Sequence, residues 1–445
     1  MTPLLTGWGR TAPTAATLVE ASVADLPALL REHPARGLIA RGLGRSYGDA
    51  AQNAGGTVIL PIHGPTSVTR DGDDALVTAA AGTSLHDLMR TLLDHHLFVP
   101  VTPGTRYVSV GGAVAADVHG KNHHREGTFG QHVVELDLVT PDGTLRTIGP
   151  NADPELFWAT VGGMGLTGVV TSVTFRAIPV ESAYVTVHTE RIGGLEALMR
   201  SMRDHDGDHR YSVAWIDTLA RGKALGRSVL TRGDHTPADG LTGAAARDPW
   251  RTPGSPRLAV PLTPPFGLVS RPGVRAFNEL WFRKAPRDRV DLQSIAAFFH
   301  PLDLIDGWNR LYGRAGMVQY QLVVPDASDA ALGEALRLLS EAGQPSFLAV
   351  LKRFGAANPG LLSFPMPGWT LALDLPTSPA LIPLFSTLDR LVLEAGGRLY
   401  LAKDSRLSPE TFDLMYERAE EFRKLRRVID PDGVLRSDLA RRLHL

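Results

Sequence analysis

The sequence predicts an α+β protein of two domains, and three observations support this prediction. The chain has 445 residues, which is longer than a single hydrophobic core usually supports. Residues 18–179 alternate short strand-like and helix-like segments joined by tight turns, a pattern typical of a compact unit of mixed helices and strands. After residue 179 the β-prone runs become longer, and short strand-like segments return near residue 396.

Three local patterns define elements in the first part of the chain. Ser84 is followed three residues later by an acidic residue and by leucines at helical spacing, which predicts a capped helix. The Pro-Asp-Gly sequence at residues 141–143 separates two strand-like runs and predicts a β-hairpin. Asp153 precedes a proline and predicts a second helix, which we expect to end at Gly162.

The second part of the chain combines longer strands with helices. We expect strands at residues 211–215 and 318–324 and a helix at residues 330–342. Residues 234–273 are rich in Pro, Gly, Thr and Ala with little periodicity. We expect a mobile loop there, because loops of this length are usually functional lids or disordered segments. One Arg-rich helix is predicted over residues 409–427.

Composition excludes several classes of function. The 46 basic residues balance 47 acidic ones, so the chain lacks the positive charge of a nucleic-acid-binding protein and we expect no nucleic-acid partner. No run of 18 apolar residues is present, and residues 1–8 lack a basic segment followed by an apolar one, so neither a transmembrane segment nor a signal peptide is predicted. The absence of cysteine excludes disulfides, thiolate metal sites and thiol catalysis.

The most distinctive motif is a glycine-rich turn that contains Gly42, Gly44 and Gly48. Together with Ser46, these glycines can present backbone N–H groups to a pyrophosphate. A Rossmann fingerprint needs glycine at its first, third and sixth positions, and the sixth residue counted from Gly42 is Tyr47. The turn therefore does not predict a nicotinamide site, and an ordinary glycine-rich turn stays the alternative.

Two further clusters of small residues follow this turn. The first covers residues 103–105 and 109–113, and the second, residues 163–168, formally matches G-x-G-x-x-G. The second cluster follows a predicted helix and precedes a strand, which is the reverse of the order that gives this pattern its meaning in dinucleotide-binding proteins. Each cluster is a weak signal alone, but their order and spacing indicate backbone that a flat ligand approaches closely.

Histidines are densest where Asp117, His119, Lys121, His123 and His124 follow one another closely. These residue types can bind a metal ion. Strand-adjacent histidines without an open coordination signature are more often hydrogen-bonded structural groups. We therefore expect no metal at this cluster.

Taken together, the motifs resemble the flavin-binding domain of the vanillyl-alcohol oxidase family. This resemblance rests on residues 42–46, 103–105, 110–112 and 163–168. Longer strings are similar to the decaprenylphosphoryl-β-D-ribose 2′-oxidase family of actinobacteria, and these are residues 41–49, 119–124, 157–163 and 399–406. The similarity extends over nearly the full length of the chain.

The resemblance implies a two-domain vanillyl-alcohol oxidase fold, with a PCMH-type FAD-binding domain and an inserted substrate-binding domain built on an antiparallel sheet. The FAD-binding domain would be discontinuous and comprise residues 1–180 and 398–445. The substrate-binding domain would comprise residues 181–397. This division agrees with the change in sequence pattern near residues 179 and 396.

The resemblance also implies a reaction. It is the FAD-dependent oxidation of the ribose 2′-hydroxyl of decaprenylphosphoryl-β-D-ribose, a polyprenyl-phosphate-linked ribose, to the 2′-keto sugar. A separate nicotinamide-dependent keto-reductase partner would complete the epimerisation to decaprenylphosphoryl-arabinose for cell-wall arabinan. The lipid-linked substrate implies peripheral contact with the cytoplasmic or periplasmic face of the inner membrane.

Positions that match the family's FAD contacts lie in the small-residue clusters and near the C-terminal end. They are Ala40, Arg41, Gly42, Leu43, Gly44, Arg45, Ser46, Tyr47, Gly48, Asp49, Ala50, Gly104, Ser109, Val110, Gly111, Gly112, Ala116, Asp117, Val118, His119, Val170 and Tyr400. Relatives that attach FAD covalently often use a histidine in the first motif, where this chain has Arg45. Because arginine cannot form the histidyl-flavin bond, we expect non-covalent FAD.

Lys403, Tyr47 and His119 match polar positions beside the flavin, and the resemblance implies that they are the catalytic residues. A desolvated Lys403 can be neutral and accept the hydroxyl proton, or it can stay cationic and stabilise the reduced flavin. The sequence leaves both roles open. His119 is expected to bind or tune the flavin.

Positions that match the substrate side of the family are rich in lysine and glutamine, which suit a sugar phosphate. They are Lys121, Trp215, Gln319, Gln321, Lys352 and Lys403, together with Phe298, Phe299, His300 and Pro301. The alternative is that Trp215 belongs to the core and Lys352 to the solvated surface. Mycobacterial relatives carry cysteine at Ala372 and asparagine at Thr370, so turnover here would not need a cysteine and one polar substrate contact is changed.

Three other functions stay open. One is an alditol or sugar-lactone oxidase of the same fold, although such enzymes commonly carry the covalent histidine that Arg45 replaces. The second is a flavin-free protein that binds a carbohydrate or lipid phosphate, which would be colourless when purified. The third is a protein that acts chiefly as an assembly partner of the reductase.

Overall fold

A computed structural model describes residues 4–71, 74–252, 254, 256 and 258–445. Residues 1–3 of the N-terminal segment and residues 253, 255 and 257 of the predicted loop lie outside the described residues. Helices and strands are numbered below in chain order, with their bounds.

The strands of the described residues fall into five sheets. They are β1 (Leu4–Leu5), β2 (Thr14–Ala15), β3 (Thr17–Val19), β4 (Leu38–Ala40), β5 (Thr57–Ile59), β6 (Thr66–Asp71), β7 (Asp74–Ala80), β8 (Leu97–Phe98), β9 (Val133–Val139), β10 (Leu145–Ile148), β11 (Val169–Pro179), β12 (Tyr184–Ile192), β13 (Tyr211–Ile216), β14 (Ser228–His235), β15 (Leu258–Ala259), β16 (Asp288–Ser294), β17 (Ile305–Asp306), β18 (Met317–Pro325), β19 (Ala349–Phe354), β20 (Gly368–Pro376) and β21 (Arg398–Leu399).

The α-helices of the described residues are mostly short. They are α1 (Leu26–Arg31), α2 (Leu85–Asp94), α3 (Val110–Ala115), α4 (His123–Glu126), α5 (Pro154–Thr160), α6 (Leu195–His205), α7 (Gly243–Arg247), α8 (Arg271–Lys284), α9 (Ile295–Phe299), α10 (Ala330–Ala342), α11 (Leu381–Glu394), α12 (Pro409–Met415), α13 (Ala419–Ile429) and α14 (Asp438–Leu443). Within this part of the chain, no helix has the length and apolar character needed to cross a bilayer.

The two ends of the chain meet in the N-terminal sheets. β3, β5 and β4 form a parallel sheet, and β10, β9, β11, β7 and β6 form a second sheet in which β11 also pairs with β8. The C-terminal end returns to the first sheet, because Leu38 N–H donates to Val434 O at 2.9 Å and Arg436 N–H donates to Leu38 O at 2.8 Å. Leu38 and Leu435 consequently share one hydrophobic cluster.

Three local predictions in the first part are confirmed. The Ser84 side chain accepts a hydrogen bond from Asp87 N–H at 3.0 Å and caps α2. β9 and β10 pair antiparallel around the predicted turn, where Gly143 has φ +80° and so occupies the left-handed region that favours glycine. Asp153 caps α5, and Gly162, with φ +78°, follows the end of that helix.

An eight-stranded antiparallel sheet dominates the middle of the chain, in the order β16, β12, β14, β13, β19, β20, β18, β21. One of its faces is apolar and packs on α6, α10 and α11. Side chains alternate along a strand, so β18 places Tyr320 against Phe385 of α11, with ring centroids 5.1 Å apart, and directs Gln319 and Gln321 to the opposite face. The polar face is the one available to a ligand.

The predicted elements of the second part are present as β13, β18 and α10, and the predicted α+β class is confirmed. The prediction of one helix over residues 409–427 is wrong, because the helix is interrupted between α12 and α13. Tyr416 is buried at this break, donates its hydroxyl hydrogen to Leu399 O at 2.6 Å and stacks on Phe412. This tertiary contact interrupts the helix after α12, and the next helix, α13, begins at Ala419.

The described part of the predicted loop contains α7 and β15, and α8 begins at Arg271 within it. The mobility of residues 234–273 stays a prediction, as do the domain boundaries near residues 180 and 398.

Candidate active site

A cavity of about 970 Å³ lies between the glycine-rich turns and the polar face of the eight-stranded sheet. One wall comes from the turn after β4 and from α3, and the facing wall comes from β13, β18, β19 and β20. The residues predicted to bind the cofactor line this cavity, except for Asp49, Val110 and Asp117. The six lysine, tryptophan and glutamine residues predicted to bind substrate line the same cavity, so the structure brings the two sets together.

The glycine-rich turn forms an open cradle of backbone donors. Among the described residues, the N–H groups of residues 42–46 have no hydrogen-bond partner, and all five residues line the cavity. Gly42 leaves room for Ser109, because a side chain at this position would strike Ser109 Oγ. Gly44 has φ +65°, which a residue with a side chain rarely adopts. A row of free amides in this geometry suits an anion.

The N-terminal end of α3 forms the adjoining wall. Ser109 caps this helix and accepts from Gly112 N–H at 3.2 Å, while Val110 N–H and Gly111 N–H donate to Thr83 O and Ala81 O. These three amides are therefore engaged within the protein. The glycines here offer a ligand close van der Waals contact with the backbone, and the free donors are those of the first turn.

Asp49 and Asp117 lie behind the cavity wall and hold it together. Asp49 forms an ion pair with Arg442 at 2.8 Å, which ties the glycine-rich turn to α14. Asp117 is fully buried and accepts hydrogen bonds from Asn358 Nδ2, at 2.6 Å, and from Ser363 Oγ. Burial raises the pKa of Asp117, and these hydrogen bonds oppose the shift. Both side chains thus join distant segments around the site.

Arg45 is held between two aromatic rings at the cavity wall. Its guanidinium carbon lies 3.9 Å from the centroid of the Trp8 ring and 5.5 Å from that of Tyr107. Its Nε donates to Tyr107 O at 3.2 Å. Burial lowers the pKa of Arg45, but the guanidinium stays charged at physiological pH. The side chain is a fixed cation beside the cradle.

Cross-strand register gathers the polar residues of the sheet. Gln319 lies opposite Asp374 and Gln321 lies opposite Ala372 in the pairing of β18 with β20. Side chains directly opposite each other in an antiparallel pair share one face. Lys352 of β19 joins the same face from the other side of β20.

Three lysines line one cavity, namely Lys121, Lys352 and Lys403. Burial, together with the charge of Lys352, lowers the pKa of Lys121 to about 7. Burial and the charge of Lys403 lower the pKa of Lys352 to about 7 as well. Lys121 also donates to Phe298 O and lies over the Phe298 ring. Such a group of desolvated cations favours an anionic ligand, which would restore their charge.

Lys403 and Asp374 shift each other's pKa values in the site. Burial lowers the pKa of Lys403 to about 8, and the Asp374 carboxylate opposes that shift. Burial raises the pKa of Asp374 to about 7, against the hydrogen bond from Gln319 and the charge of Lys403. Lys403 Nζ lies 4.1 Å from the centroid of the Tyr47 ring. Near neutral pH this pair can therefore gain or lose a proton at small cost.

His119 is buried and its protonation is fixed by a chain of hydrogen bonds. Thr370 Oγ1 donates to Leu322 O at 2.8 Å, so it can only accept from Gln321 Nε2, which lies 3.2 Å away. The same Nε2 lies 2.9 Å from His119 Nε2. His119 Nε2 is consequently an acceptor, and the ring proton is on Nδ1. Burial lowers the pKa of His119 well below its usual value, with Lys352 adding to the shift, so the ring is neutral.

Aromatic residues complete the wall. Trp215 Nε1 donates to Phe347 O at 3.0 Å, and its ring lines the cavity rather than the core. Phe298, Phe299 and Pro301 line the cavity as well. His300 does not, since its Nε2 lies 2.9 Å from Thr102 Oγ1 behind the wall. Ala372 faces the cavity, whereas Thr370 is buried beneath Gln321.

Asp374, Phe277 and Trp281 belong to the site but are missing from the sequence prediction. Asp374 is fully buried, with its Oδ2 unpartnered among the described residues. Asp374 could have been predicted from the sequence, because a single acidic residue in the otherwise apolar strand β20 indicates a buried functional group. Phe277 and Trp281 of α8 line the cavity, and no local pattern distinguishes them from ordinary helix residues.

Comparison with known proteins agrees with this architecture. Residues 14–149 match the model of the FAD binding domain, and residues 374–443 match the model of D-arabinono-1,4-lactone oxidase. Decaprenylphosphoryl-beta-D-ribose oxidase of Mycolicibacterium smegmatis is 44% identical, over 100% of this chain and 98% of the relative. An uncharacterized protein of Streptomyces coelicolor is 41% identical, over 81% of this chain and 100% of the relative. Cytokinin dehydrogenase 4 of Arabidopsis thaliana is 31% identical over 30% of this chain and 26% of the relative.

The cavity residues fit FAD. The free amides of residues 42–46 suit a pyrophosphate, and a side chain at Gly104 would project into open cavity space that a flat ring could occupy. The FAD-binding fold and the FAD cofactor predicted from the sequence are confirmed. Because a relative with 44% identity spans the full chain, the chain belongs to the decaprenylphosphoryl-β-D-ribose oxidase family.

Proposed function

We propose that this protein is an FAD-dependent oxidoreductase that acts on a CH–OH group, and that it oxidises the ribose 2′-hydroxyl of decaprenylphosphoryl-β-D-ribose to the 2′-keto sugar. One observation carries the proposal most directly. Three desolvated lysines, two glutamines and a neutral histidine face a cradle of free amides across one cavity. This arrangement would suit an anionic sugar bound opposite a dinucleotide.

The cofactor site follows from the cradle. The amides of residues 42–46 would bind the FAD pyrophosphate, with the Arg45 cation beside them. When bound, FAD supplies the acceptor for the hydride removed from the sugar carbon. We propose that FAD is bound non-covalently, because Arg45 occupies the position of the family's linking histidine and its guanidinium is already held by Trp8 and Tyr107.

Lys121 and Lys352 are proposed to bind the phosphate of the substrate. Their pKa values of about 7 leave both lysines partly neutral, and an anion would favour the ammonium forms. Gln319 can offer its amide oxygen and its second N–H to the ribose hydroxyls, because its first N–H donates to Asp374. Gln321 can offer its amide oxygen alone, because its two N–H groups donate to His119 and Thr370. Trp215 closes the cavity with an apolar ring, which suits the face of a sugar.

The hydroxyl proton needs an acceptor as the hydride leaves, and we propose Lys403. Its pKa of about 8 gives a neutral Nζ in about a tenth of the molecules at pH 7. The Asp374 carboxylate, close enough to raise the pKa of Lys403, stabilises the ammonium that results. The alternative, a permanently cationic Lys403 that stabilises negative charge on the cofactor, predicts the opposite pH dependence.

His119 does not serve as the base in this proposal. Its Nε2 accepts from Gln321, its Nδ1 carries the proton, and its pKa is far below the physiological range. A neutral Nδ1–H in the cavity wall is a hydrogen-bond donor. We assign it to positioning of the flavin or of the sugar, while the buried Tyr47, whose pKa is raised well above 10 by burial, remains a neutral phenol under Lys403.

The wider biological role is proposed on the same basis. The 2′-keto sugar would be the substrate of a separate nicotinamide-dependent keto-reductase, and the two steps together would give decaprenylphosphoryl-arabinose for cell-wall arabinan. A polyprenyl-linked substrate also requires contact of the enzyme with a membrane, at the cytoplasmic or periplasmic face.

A sugar-lactone oxidase is the second candidate, since residues 374–443 match the D-arabinono-1,4-lactone oxidase model. Anaerobic reduction of the bound flavin separates the two. The holoenzyme is mixed with a prenyl-phosphoribose, with xylitol or with a sugar lactone, and bleaching of the flavin absorbance is followed. We expect rapid bleaching with the phosphoribose alone. Bleaching by the lactone or by xylitol but not by the phosphoribose would refute the proposal.

A further inference from the structure

The exposed apolar side chains of this protein are concentrated in one region. We call residues 258–269 the strap, which begins with β15 and leads into α8. Phe266 is 83% exposed and Leu262 is 77% exposed, and Leu280 of α8 is 67% exposed. Contiguous apolar patches of this kind are rare on a soluble monomer unless they bind something.

The strap and α8 are joined into one surface. β15 pairs with β17, and Leu268 N–H donates to Leu311 O at 2.8 Å, which fixes the strap along residues 305–313. Phe347 connects this segment to the helix, since its ring lies 6.0 Å from Tyr312 and 6.0 Å from Phe277. Phe347 therefore connects the segment that anchors the strap to α8, and we call the exposed apolar side chains of the strap and α8 the rim.

This rim is continuous with the mouth of the cavity. Phe277, Trp281 and Lys284 recur at helical spacing along α8 and line the cavity wall. Ile305 and Trp308, which lie beside the strap, line it too. Leu280 is on the neighbouring, solvent-facing part of the same helix and does not line the cavity.

The same segment is basic in a chain whose net charge is −1. Residues 258–290 contain six basic and two acidic side chains. Both acids are engaged, Glu279 with Arg227 at 2.7 Å and Asp288 with His188 at 2.7 Å. Four of the basic side chains form no ion pair with any described residue, and they are Arg271, Arg275, Lys284 and Arg287. Apolar residues bordered by unpaired cations match the interface of an anionic bilayer.

We propose that the strap and α8 dock the protein on a bilayer that contains anionic lipids, with the cavity mouth held against the membrane. Exposed Leu, Phe and Trp side chains enter the headgroup region, and the unpaired arginines contact lipid phosphates. The consequence for catalysis, that a lipid-linked sugar reaches the cavity without leaving the bilayer, rests on the proposed function. The docking surface itself rests on exposure and charge alone.

The first test measures binding to vesicles and needs no substrate. The full-length holoenzyme is sedimented with vesicles of phosphatidylcholine, with and without phosphatidylglycerol. We expect binding that requires the anionic lipid, is lost in the double variant Leu262→Glu/Phe266→Glu and in Leu280→Glu, and weakens about fivefold for each charge removed in Arg275→Gln or Arg287→Gln. Wild-type binding that is absent, or unchanged in these variants, would overturn the proposal.

Matched controls use apolar residues that are equally exposed elsewhere. Leu414 is 64% exposed and Val428 is 77% exposed, on α12 and α13. Leu414→Glu and Val428→Glu should bind vesicles as the wild type does, and equal loss of binding in them would contradict a localised surface. If the surface instead joins two copies of the chain, the wild type would be a dimer in light scattering and Leu280→Glu a monomer, which would also overturn the proposal.

A second test links docking to catalysis. Leu280→Glu should oxidise a short, soluble prenyl-phosphoribose at the wild-type rate and lose activity only toward a long-chain substrate embedded in vesicles. Equal activity of wild type and variant on the embedded substrate would refute the catalytic consequence. A wild type that binds vesicles but oxidises neither substrate would contradict the proposed function and leave the docking surface standing.

Discussion

Gln321 Nε2 lies 2.9 Å from His119 Nε2, and this contact determines which nitrogen of the histidine carries the proton. The orientation of the Gln321 amide is determined in turn by Thr370. The Thr370 hydroxyl donates its hydrogen to Leu322 O, so it can only accept a hydrogen bond from the Gln321 N–H group. A residue that does not face the cavity thus controls the protonation of one that does.

Thr370→Val should release the Gln321 amide and mix the two tautomers of His119. The change removes two buried hydrogen bonds, one donated to Leu322 O and one accepted from Gln321 Nε2, each worth about 1 kcal/mol of stability. We expect the ¹⁵N chemical shifts of the His119 ring to move from the pattern of the Nδ1–H tautomer toward an average. Thr160→Val is the matched control, since it removes a buried hydroxyl that bonds to Leu156 O on α5. Unchanged His119 shifts in Thr370→Val would show that Gln321 is oriented by other contacts.

Lys403→Ala should abolish reduction of the flavin by a prenyl-phosphoribose while FAD stays bound. Loss of a general base typically lowers a rate by about 10²- to 10⁴-fold. Stopped-flow absorbance under anaerobic conditions measures the rate, and the flavin spectrum of the purified variant reports on cofactor content. A variant that reduces flavin at the wild-type rate would remove Lys403 from the mechanism.

The pH dependence of flavin reduction distinguishes the two roles of Lys403. A base acts in its neutral form, so the rate should rise with pH through the pKa of about 8. Because Asp374 raises the pKa of Lys403, Asp374→Asn should move this rise to lower pH. A rate that falls as pH rises through the same range would identify a cationic role instead.

Binding of the phosphate should weaken as the pH rises above 7. In the free protein the pKa values of Lys121 and Lys352 are about 7, and a bound anion would raise both. The affinity for the phosphate should therefore be highest below pH 7, where both lysines are already charged in the free protein. It should decline as the pH rises from 7 toward the higher pKa values that the lysines have in the complex. Titration of an unreactive prenyl phosphodiester, whose single charge does not change in this pH range, followed by the flavin spectrum, measures this effect. Lys352→Met should bind more weakly and with a shallower pH dependence.

The attachment of FAD can be tested by acid precipitation. If Arg45 leaves FAD without a covalent bond, the yellow colour and the FAD absorbance should appear in the supernatant. A yellow pellet with a colourless supernatant would contradict non-covalent binding. Arg45→Ala should release FAD more readily from the native protein, since it removes the cation that Trp8 and Tyr107 hold beside the cradle.

Local signals were sufficient for much of the fold. The cap at Ser84, the hairpin around Gly143 and the end of α5 at Gly162 depend on residues within one turn of the chain, so the sequence predicts them correctly. The break at Tyr416 depends on a hydrogen bond to Leu399, in another segment, and could not be predicted from helical periodicity.

The site, like the fold, contains features that the sequence predicts and features that depend on contacts between distant segments. The glycine-rich turn and the lysines are visible as residue types in a motif, and the structure brings them to one cavity. Asp374 and Lys403 come near each other because β18 pairs with β20 on one side and with β21, which precedes Lys403, on the other. The orientation of Gln321 depends on the hydroxyl of Thr370. Such relationships arise only when strands that are distant in sequence pair with each other.

The ion pair between Asp49 and Arg442, 393 positions apart in sequence, sets the order in which the protein can mature. Since Leu38 is also bonded to Val434 and Arg436, the amide cradle has its native support only once residues 434–442 have been synthesised and have packed against it. We therefore expect FAD to bind stably only after α14 has packed against the glycine-rich turn. Chains that stall before α14 would emerge without a finished nucleotide site and become substrates for proteolysis.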